Sequence, residues 1–141
     1  MDTGAVSVEA PTPPSYWTHP NERGVGFQGA TGTNLSVSED SYPGSSVSLT
    51  SGTAKAIRTG STLEWSRPIP VHRSGFTGLQ MHTIASNAES HVDFTIWLFA
   101  SQDRLYTIQA QFMVENAAGR RAVRRFLGSV RVALPTSGAQ P

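Results

Sequence analysis

The stretch from residue 91 to residue 132 constrains the fold of this 141-residue chain more than any other part of the sequence. Residues 92, 94, 96 and 98 are apolar and alternate with mostly polar neighbours, the period of two that is typical of a β-strand. Residues 106–114 alternate in the same way, after the turn-forming triplet Ser101-Gln102-Asp103. We therefore predict an antiparallel hairpin that pairs 91–99 with 104–114.

A short amphipathic helix is predicted directly after this hairpin, over residues 117–127 with Asn116 as its N-cap. Val123, Phe126 and Leu127 fall on one side of the helix and are expected to face the sheet, while arginines occupy the other side. Residues 130–133 predict a closing strand. The fold class expected from this order is α+β, an antiparallel β-sheet flanked by helices.

Taken as a whole, the sequence predicts one domain over residues 1–134. Its 13 glycines and 9 prolines favour a β-rich architecture with many turns. We expect a Pro-rich N-terminal strand and an aromatic loop over 1–22, short strands at 25–28 and 34–39, and a helix over 45–58 ended by Thr59-Gly60. Because Pro68 and Pro70 cannot donate ladder hydrogen bonds, residues 63–71 predict an edge strand or a bulged strand. Residues 135–141 are expected to form a flexible tail.

Several packing motifs of this chain resemble those of the small bacterial PsbP-like domains. The matching positions are Gly75 and Gly78, the triplet 104–106 (Arg-Leu-Tyr), and the segment 125–129 (Arg-Phe-Leu-x-Ser). The resemblance covers roughly residues 49–132. It implies an antiparallel sheet between helices, and a role in binding or assembly, because that family includes photosystem subunits, a Ran-binding factor, secretion-effector chaperones and cell-envelope proteins. It therefore implies a protein that is not an enzyme.

Composition and motif searches exclude several kinds of chemistry. The absence of cysteine removes disulfides, thiolate catalysis and cysteine-ligated metals. The four histidines follow no metal-binding spacing, and no nucleophile motif is present, so we predict no catalytic residue, no metal and no cofactor. A net charge of +1 argues against nucleic acid as the partner. No run of apolar residues is long enough to span a membrane. The chain as it stands is expected in the cytoplasm, or in the cell envelope if an export signal had been removed.

Four arginines on the predicted C-terminal helix form the first candidate binding surface, called here the arginine band. They are Arg120, Arg121, Arg124 and Arg125. Residues four apart lie side by side on a helix, so these like charges repel each other by a few tenths of a kcal/mol per pair. Three interpretations stay open: a solvated face neutralised by Glu115 and Asp103, a contact with an acidic protein or with a second copy of the chain, and a contact with nucleic acid.

Aromatic residues form the second candidate surface. Trp97 and Phe99 fall on the strand face opposite Phe94 and Ile96, so this strand is apolar on both sides. Either the chain's own helix and N-terminal loop cover Trp97 and Phe99, or these residues belong to an interface. Two further tryptophans are candidates for the same role. They are Trp17 and Trp65.

Two functions of different classes follow from these observations. The favoured one is a non-catalytic protein-binding module, such as a chaperone, adaptor or structural subunit of a bacterial or phage assembly. It would act through its sheet face, either as a monomer or as a homodimer. The alternative is a small-ligand-binding protein or enzyme with a cleft near His82 and Asp93, two side chains expected to meet across neighbouring strands. An exposed apolar sheet face would support the first function, and a deep polar pocket would support the second.

Overall fold

A computed structural model describes residues 6–7, 15–19, 22–28, 33–41, 46–86, 89–101 and 104–132. The predicted tail at 135–141 and most of the Pro-rich N-terminal segment lie outside these residues. The described strands and helices follow this order: β1 (Val6–Ser7), β2 (Ser15–His19), β3 (Glu22–Gln28), β4 (Asn34–Ser41), α1 (Ser46–Gly60), β5 (Ile69–Arg73), β6 (Phe76–Ser86), β7 (His91–Ser101), β8 (Arg104–Met113), α2 (Ala117–Gly128) and β9 (Arg131–Val132).

Seven of these strands form one sheet in the order β2-β3-β4-β8-β7-β6-β5. Every neighbouring pair is antiparallel. The hairpin predicted from the alternating residues is confirmed, because β7 pairs with β8 and places Trp97 opposite Ile108. Strands β1 and β9 form a separate two-stranded ribbon in which Val6 lies opposite Val132. The predicted fold class, an antiparallel sheet with helices against it, is therefore confirmed.

Around β7, both faces of the sheet are covered by other elements of the chain. On one face, Trp97 and Phe99 of β7 belong to a buried cluster that includes Val123 and Phe126 of α2 and Val132 of β9. On the opposite face, other β7 residues pack with helix α1 in a second buried cluster. This double coverage explains why β7 is apolar at nearly every position towards its end, since both rows of its side chains are removed from water.

The N-terminal part of the sheet differs from the sequence-based expectation. The prediction of an aromatic loop there is wrong, because Ser15–His19 forms the edge strand β2 and pairs with β3, with Tyr16 opposite Val25. Strand β3 also begins earlier than the predicted 25–28 segment. Glycines at alternate positions of β3 remove the side chains from one row, so the period of two is hidden in the sequence. The predicted strand with Pro70 does lie at the sheet edge, but its bounds were wrong, because β5 covers Ile69–Arg73 and not 63–71.

Gly78 of β6 is required by the close approach of β7. A Cβ atom at this position would overlap the Leu98 carbonyl oxygen and would lie 2.8 Å from Cδ1 of Phe99. We therefore expect Gly78→Ala to lower the free energy of unfolding by about 1–3 kcal/mol, measured by urea denaturation. The control is Gly52→Ala on α1, where a Cβ would meet no atom within 4 Å. Because alanine favours a helix, the control should keep or raise stability, and equal stability of both variants would contradict the packing of β6 on β7.

Candidate functional site

Helix α2 is fixed at its start and along one side. The Asn116 side chain caps the helix, with Oδ1 accepting a hydrogen bond from the Gly119 amide at 3.0 Å. Gly119, Val123 and Phe126 are the buried residues of this helix. The Phe126 ring meets Phe27 of β3 edge-on, with ring centroids 6.2 Å apart. The predicted orientation is confirmed, and the opposite side of α2 faces solvent.

All four residues of the arginine band are exposed on that outer side. Arg120 is partly held by its neighbours, because its guanidinium lies 5.7 Å from the centroid of the Phe112 ring and donates to the Val114 carbonyl at 3.4 Å. Within the described parts of the chain, no ion pair joins a carboxylate to Arg121, Arg124 or Arg125. The band therefore presents at least three guanidinium groups whose charge is not neutralised by the described residues.

The two acids expected to neutralise the band do not do so where the structure describes them. Glu115 is exposed and forms no ion pair with the band among the described residues. Asp103 lies outside those residues. Arg131 of β9 adds a further exposed positive charge beyond the helix end, where its guanidinium donates to the Gly128 carbonyl at 3.4 Å and the Val130 carbonyl at 3.3 Å. The positive surface thus continues from α2 onto β9.

The aromatic pair on β7 does not form an accessible surface. Trp97 is 4% exposed and Phe99 is 0% exposed. The indole Nε1 of Trp97 donates to Oε1 of Gln80 at 2.8 Å, and the Arg73 guanidinium lies 4.6 Å from the indole centroid. Both side chains lie in the buried cluster that also contains Phe126 of α2 and Val132 of β9, so neither is accessible in the single chain. This burial favours the alternative in which the chain covers them itself, and their contact with a partner stays a prediction.

Of the other two tryptophans, the structure describes the side chain of Trp65, which lies away from the arginine band. Trp17 lies in β2, and its side chain is outside the described part of the structure. Trp65 is half-buried on the α1 side of the sheet, where its ring meets Phe94 edge-on with centroids 6.1 Å apart. Among the described side chains of the predicted binding residues, those of the arginine band are exposed, Trp65 is half-buried, and Trp97 and Phe99 are buried.

His82 and Asp93 meet as the sequence predicts. Nε2 of His82 and Oδ2 of Asp93 are 2.9 Å apart, with the side chains 40% and 20% exposed. Ile84, which lies opposite Asp93 in the sheet, and Ile69 of β5 are both about half exposed. These residues make an open patch on the sheet near its β5 edge. Among the described residues, no group of three or more histidine and carboxylate side chains is arranged to hold a metal.

A cleft is present on the opposite side of the sheet, away from the His82–Asp93 pair. It lies between α1 and residues 63–68 and has a volume of about 660 Å³. Lys55 and Arg58 line it from the helix, and Leu63, Trp65 and Pro68 line it from the facing segment. No sequence pattern described above predicted this cleft. The only signal available was the spacing of polar residues along one side of α1, at 51, 55, 58 and 59.

Neither of the described helices is both long enough and apolar enough to cross a membrane. No protein-family model matches the sequence, and no curated protein matches it. A crystal structure of a protein from Bacteroides thetaiotaomicron VPI-5482 matches with a TM-score of 0.55 and 7% identity over 92% of this chain. The chain spans 45% of the length of that protein.

Two other solved structures match this chain along most of its length. LpqN of Mycobacterium tuberculosis, a protein involved in cell envelope biogenesis, matches with a TM-score of 0.53 and 14% identity, covering 94% of this chain and 86% of LpqN. Cyanobacterial PsbP from Synechocystis sp. PCC 6803 matches with a TM-score of 0.45 and 13% identity, covering 93% of this chain and 94% of PsbP. The match with LpqN supports the predicted fold, an antiparallel sheet flanked by helices, and PsbP is among the matching structures.

Proposed function

We propose that this chain is a non-catalytic protein-binding module whose arginine band binds an acidic segment of a partner protein. The observation that carries this proposal is the group Arg121, Arg124 and Arg125, which lies exposed on one helix and forms no ion pair with a carboxylate of the described residues. A role as chaperone, adaptor or structural subunit is what the PsbP-like resemblance implies for a module of this kind.

The charges of the band favour an acidic partner. Arg121 and Arg125 are four residues apart, so they repel each other in the isolated protein by a few tenths of a kcal/mol. Carboxylates of a partner would replace this repulsion with attraction, and a guanidinium can donate two parallel hydrogen bonds to one carboxylate. The energy available from such pairs is modest at the surface and depends on salt, which gives the proposal a clear experimental signature.

The scaffold beneath the band is suited to presenting these side chains in a fixed arrangement. Val123 and Phe126 anchor the buried side of α2, and Asn116 fixes the start of the helix. A rigid helix loses little conformational freedom on binding, so more of the interaction energy contributes to affinity. The sheet face contributes less to the proposal than the sequence suggested, because the large apolar side chains that are exposed among the described residues are Ile69 and Ile84, near the β5 edge.

The proposal is tested with a fluorescein-labelled oligo-glutamate peptide titrated into the protein. We expect binding that weakens as salt is raised and that falls about tenfold or more in the variant Arg121→Glu/Arg125→Glu, since two attractive charges become repulsive. The free energy of unfolding of this variant should stay within roughly 0.5 kcal/mol of the original, the range for surface changes. The matched control is Arg67→Glu, an exposed arginine outside α2, which should bind normally.

Three results would contradict the proposal. Peptide binding that is unchanged in the double variant would remove the band from the interaction. Equal loss of binding in Arg67→Glu would show that binding depends on the net charge of the protein and not on the position of the arginines. Tighter binding of a single-stranded oligonucleotide of the same charge, with the same salt dependence, would assign the band to nucleic acid.

A further inference from the structure

The cleft beside α1 is bounded by the helix on one side and by residues 63–68 on the other, and hydrogen bonds hold this second wall against the sheet. The Ser66 amide donates to the His82 carbonyl at 2.8 Å, and the His82 amide donates back to the Ser66 hydroxyl at 2.9 Å. The Thr83 hydroxyl donates to the Glu64 carbonyl at 2.7 Å. These bonds join residues 64–66 to the part of β6 that does not pair with β5. The segment is therefore held against β6 at the edge of the sheet. We call the space between this wall and α1 the α1 cleft.

The wall of the α1 cleft is largely apolar. Leu63, Trp65 and Pro68 line it and are all half-buried, and the Trp65 ring is backed by Phe94. The indole Nε1 of Trp65 is covered from solvent and has no hydrogen-bond acceptor among the described residues. A buried donor without an acceptor is unfavourable, and a ligand oxygen that displaced the covering atoms would satisfy it. The volume of about 660 Å³ lies in the range typical of small-molecule sites.

The helix side of the α1 cleft carries positive charge. Lys55 and Arg58 are three residues apart, so they are neighbours on the surface of α1, and both are exposed. In the described part of the chain, neither side chain forms an ion pair with a carboxylate. Glu64 on the facing wall supplies one negative charge against these two, so the residues that line the cleft have a net charge of +1.

We propose that the α1 cleft binds an anionic amphiphile with one alkyl chain and a carboxylate head group. The chain lies along Trp65, Leu63 and Pro68, where it is removed from water, and the carboxylate lies at Lys55 and Arg58. This site is separate from the arginine band, because α1 and α2 cover opposite faces of the sheet. Ligand binding here and protein binding at α2 can therefore be measured independently of each other.

Three probes separate the parts of this interaction in isothermal titration calorimetry. Decanoate has both the chain and the charge, decanol has the chain alone, and acetate has the charge alone. Below the concentration at which decanoate forms micelles, we expect decanoate to bind about tenfold or more tightly than decanol, and acetate to show no binding. Bound decanoate should also change the fluorescence of Trp65, and this change should disappear in Trp65→Phe.

The charge requirement is tested with Lys55→Gln/Arg58→Gln, which removes both positive charges and keeps a polar side chain at each position. We expect this variant to lose about tenfold or more of its affinity for decanoate and to keep its affinity for decanol. The matched control Arg67→Gln changes an exposed arginine that does not line the cleft, and it should bind decanoate normally. Thermal unfolding of each variant checks that the fold is intact. The proposal is overturned if decanoate does not bind, if decanol binds equally well, or if the double variant binds decanoate as tightly as the original.

Discussion

Phe126→Ala is expected to lower the free energy of unfolding by about 3–5 kcal/mol, the typical loss for a large buried aromatic residue. Phe126 is 1% exposed and packs edge-on against Phe27 of β3. Truncation to alanine removes this contact and leaves a cavity between α2 and the sheet. Urea denaturation followed by circular dichroism measures the loss directly.

The neighbouring residue Leu127 provides a matched control for this prediction. Leu127 lies next to Phe126 on the same helix but is only half-buried, so Leu127→Ala should cost clearly less. A loss below about 1 kcal/mol for Phe126→Ala would contradict the account, because it would place Phe126 at the surface. The helix would then be turned over, and the arginine band could not be the accessible side of α2.

Trp97→Ala is expected to have an effect of similar size, about 3–5 kcal/mol, on the stability of a single chain. The Trp97 indole is buried in the core of the chain. The Arg73 guanidinium packs over the face of this indole in a cation–π contact. Trp97→Phe keeps an aromatic ring but loses the hydrogen bond to Gln80, so it should cost about 1 kcal/mol.

Light scattering beside the unfolding measurement distinguishes a core residue from an interface residue. If Trp97 belongs to the core, Trp97→Ala lowers stability and leaves the mass of the folded fraction unchanged. A variant with the original stability and a lower mass at high concentration would instead show that Trp97 holds two chains together, with a loss of about 2 kcal/mol or more in association. That outcome would contradict the burial of Trp97 within one chain.

The parts of the fold that the sequence predicted are those with strong local signals. Strict alternation defined β7 and β8, and the Asn116 cap with buried Val123 and Phe126 defined α2. Strand β2 was missed because it is short, lies at an edge beside prolines, and pairs with a glycine-containing partner. Alternation also placed Trp97 correctly on the face opposite Ile96. It could not show what covers Trp97, because that depends on how α2 and the β1–β9 ribbon pack.

The candidate sites also differ in whether they depend on residues close in sequence or on contacts between distant parts of the chain. Helical spacing predicted the arginine band from the sequence, since residues four apart must be neighbours on a helix. The lack of ion pairs at Arg121, Arg124 and Arg125 required coordinates, because Glu115 is close in sequence and could have neutralised them. The α1 cleft was not predicted at all. Its second wall depends on hydrogen bonds between Ser66 and His82, which are 16 residues apart.

The central claim is that the arginine band is the surface that binds an acidic partner. The most direct measurement is a titration of the ¹⁵N-labelled protein with the oligo-glutamate peptide, followed by amide chemical shifts. We predict that the largest shifts occur at residues 120–131, on the exposed side of α2 and at β9, and that they disappear in Arg121→Glu/Arg125→Glu. Shifts concentrated around Ile69 and Ile84 or at the α1 cleft, with none on α2, would contradict the claim.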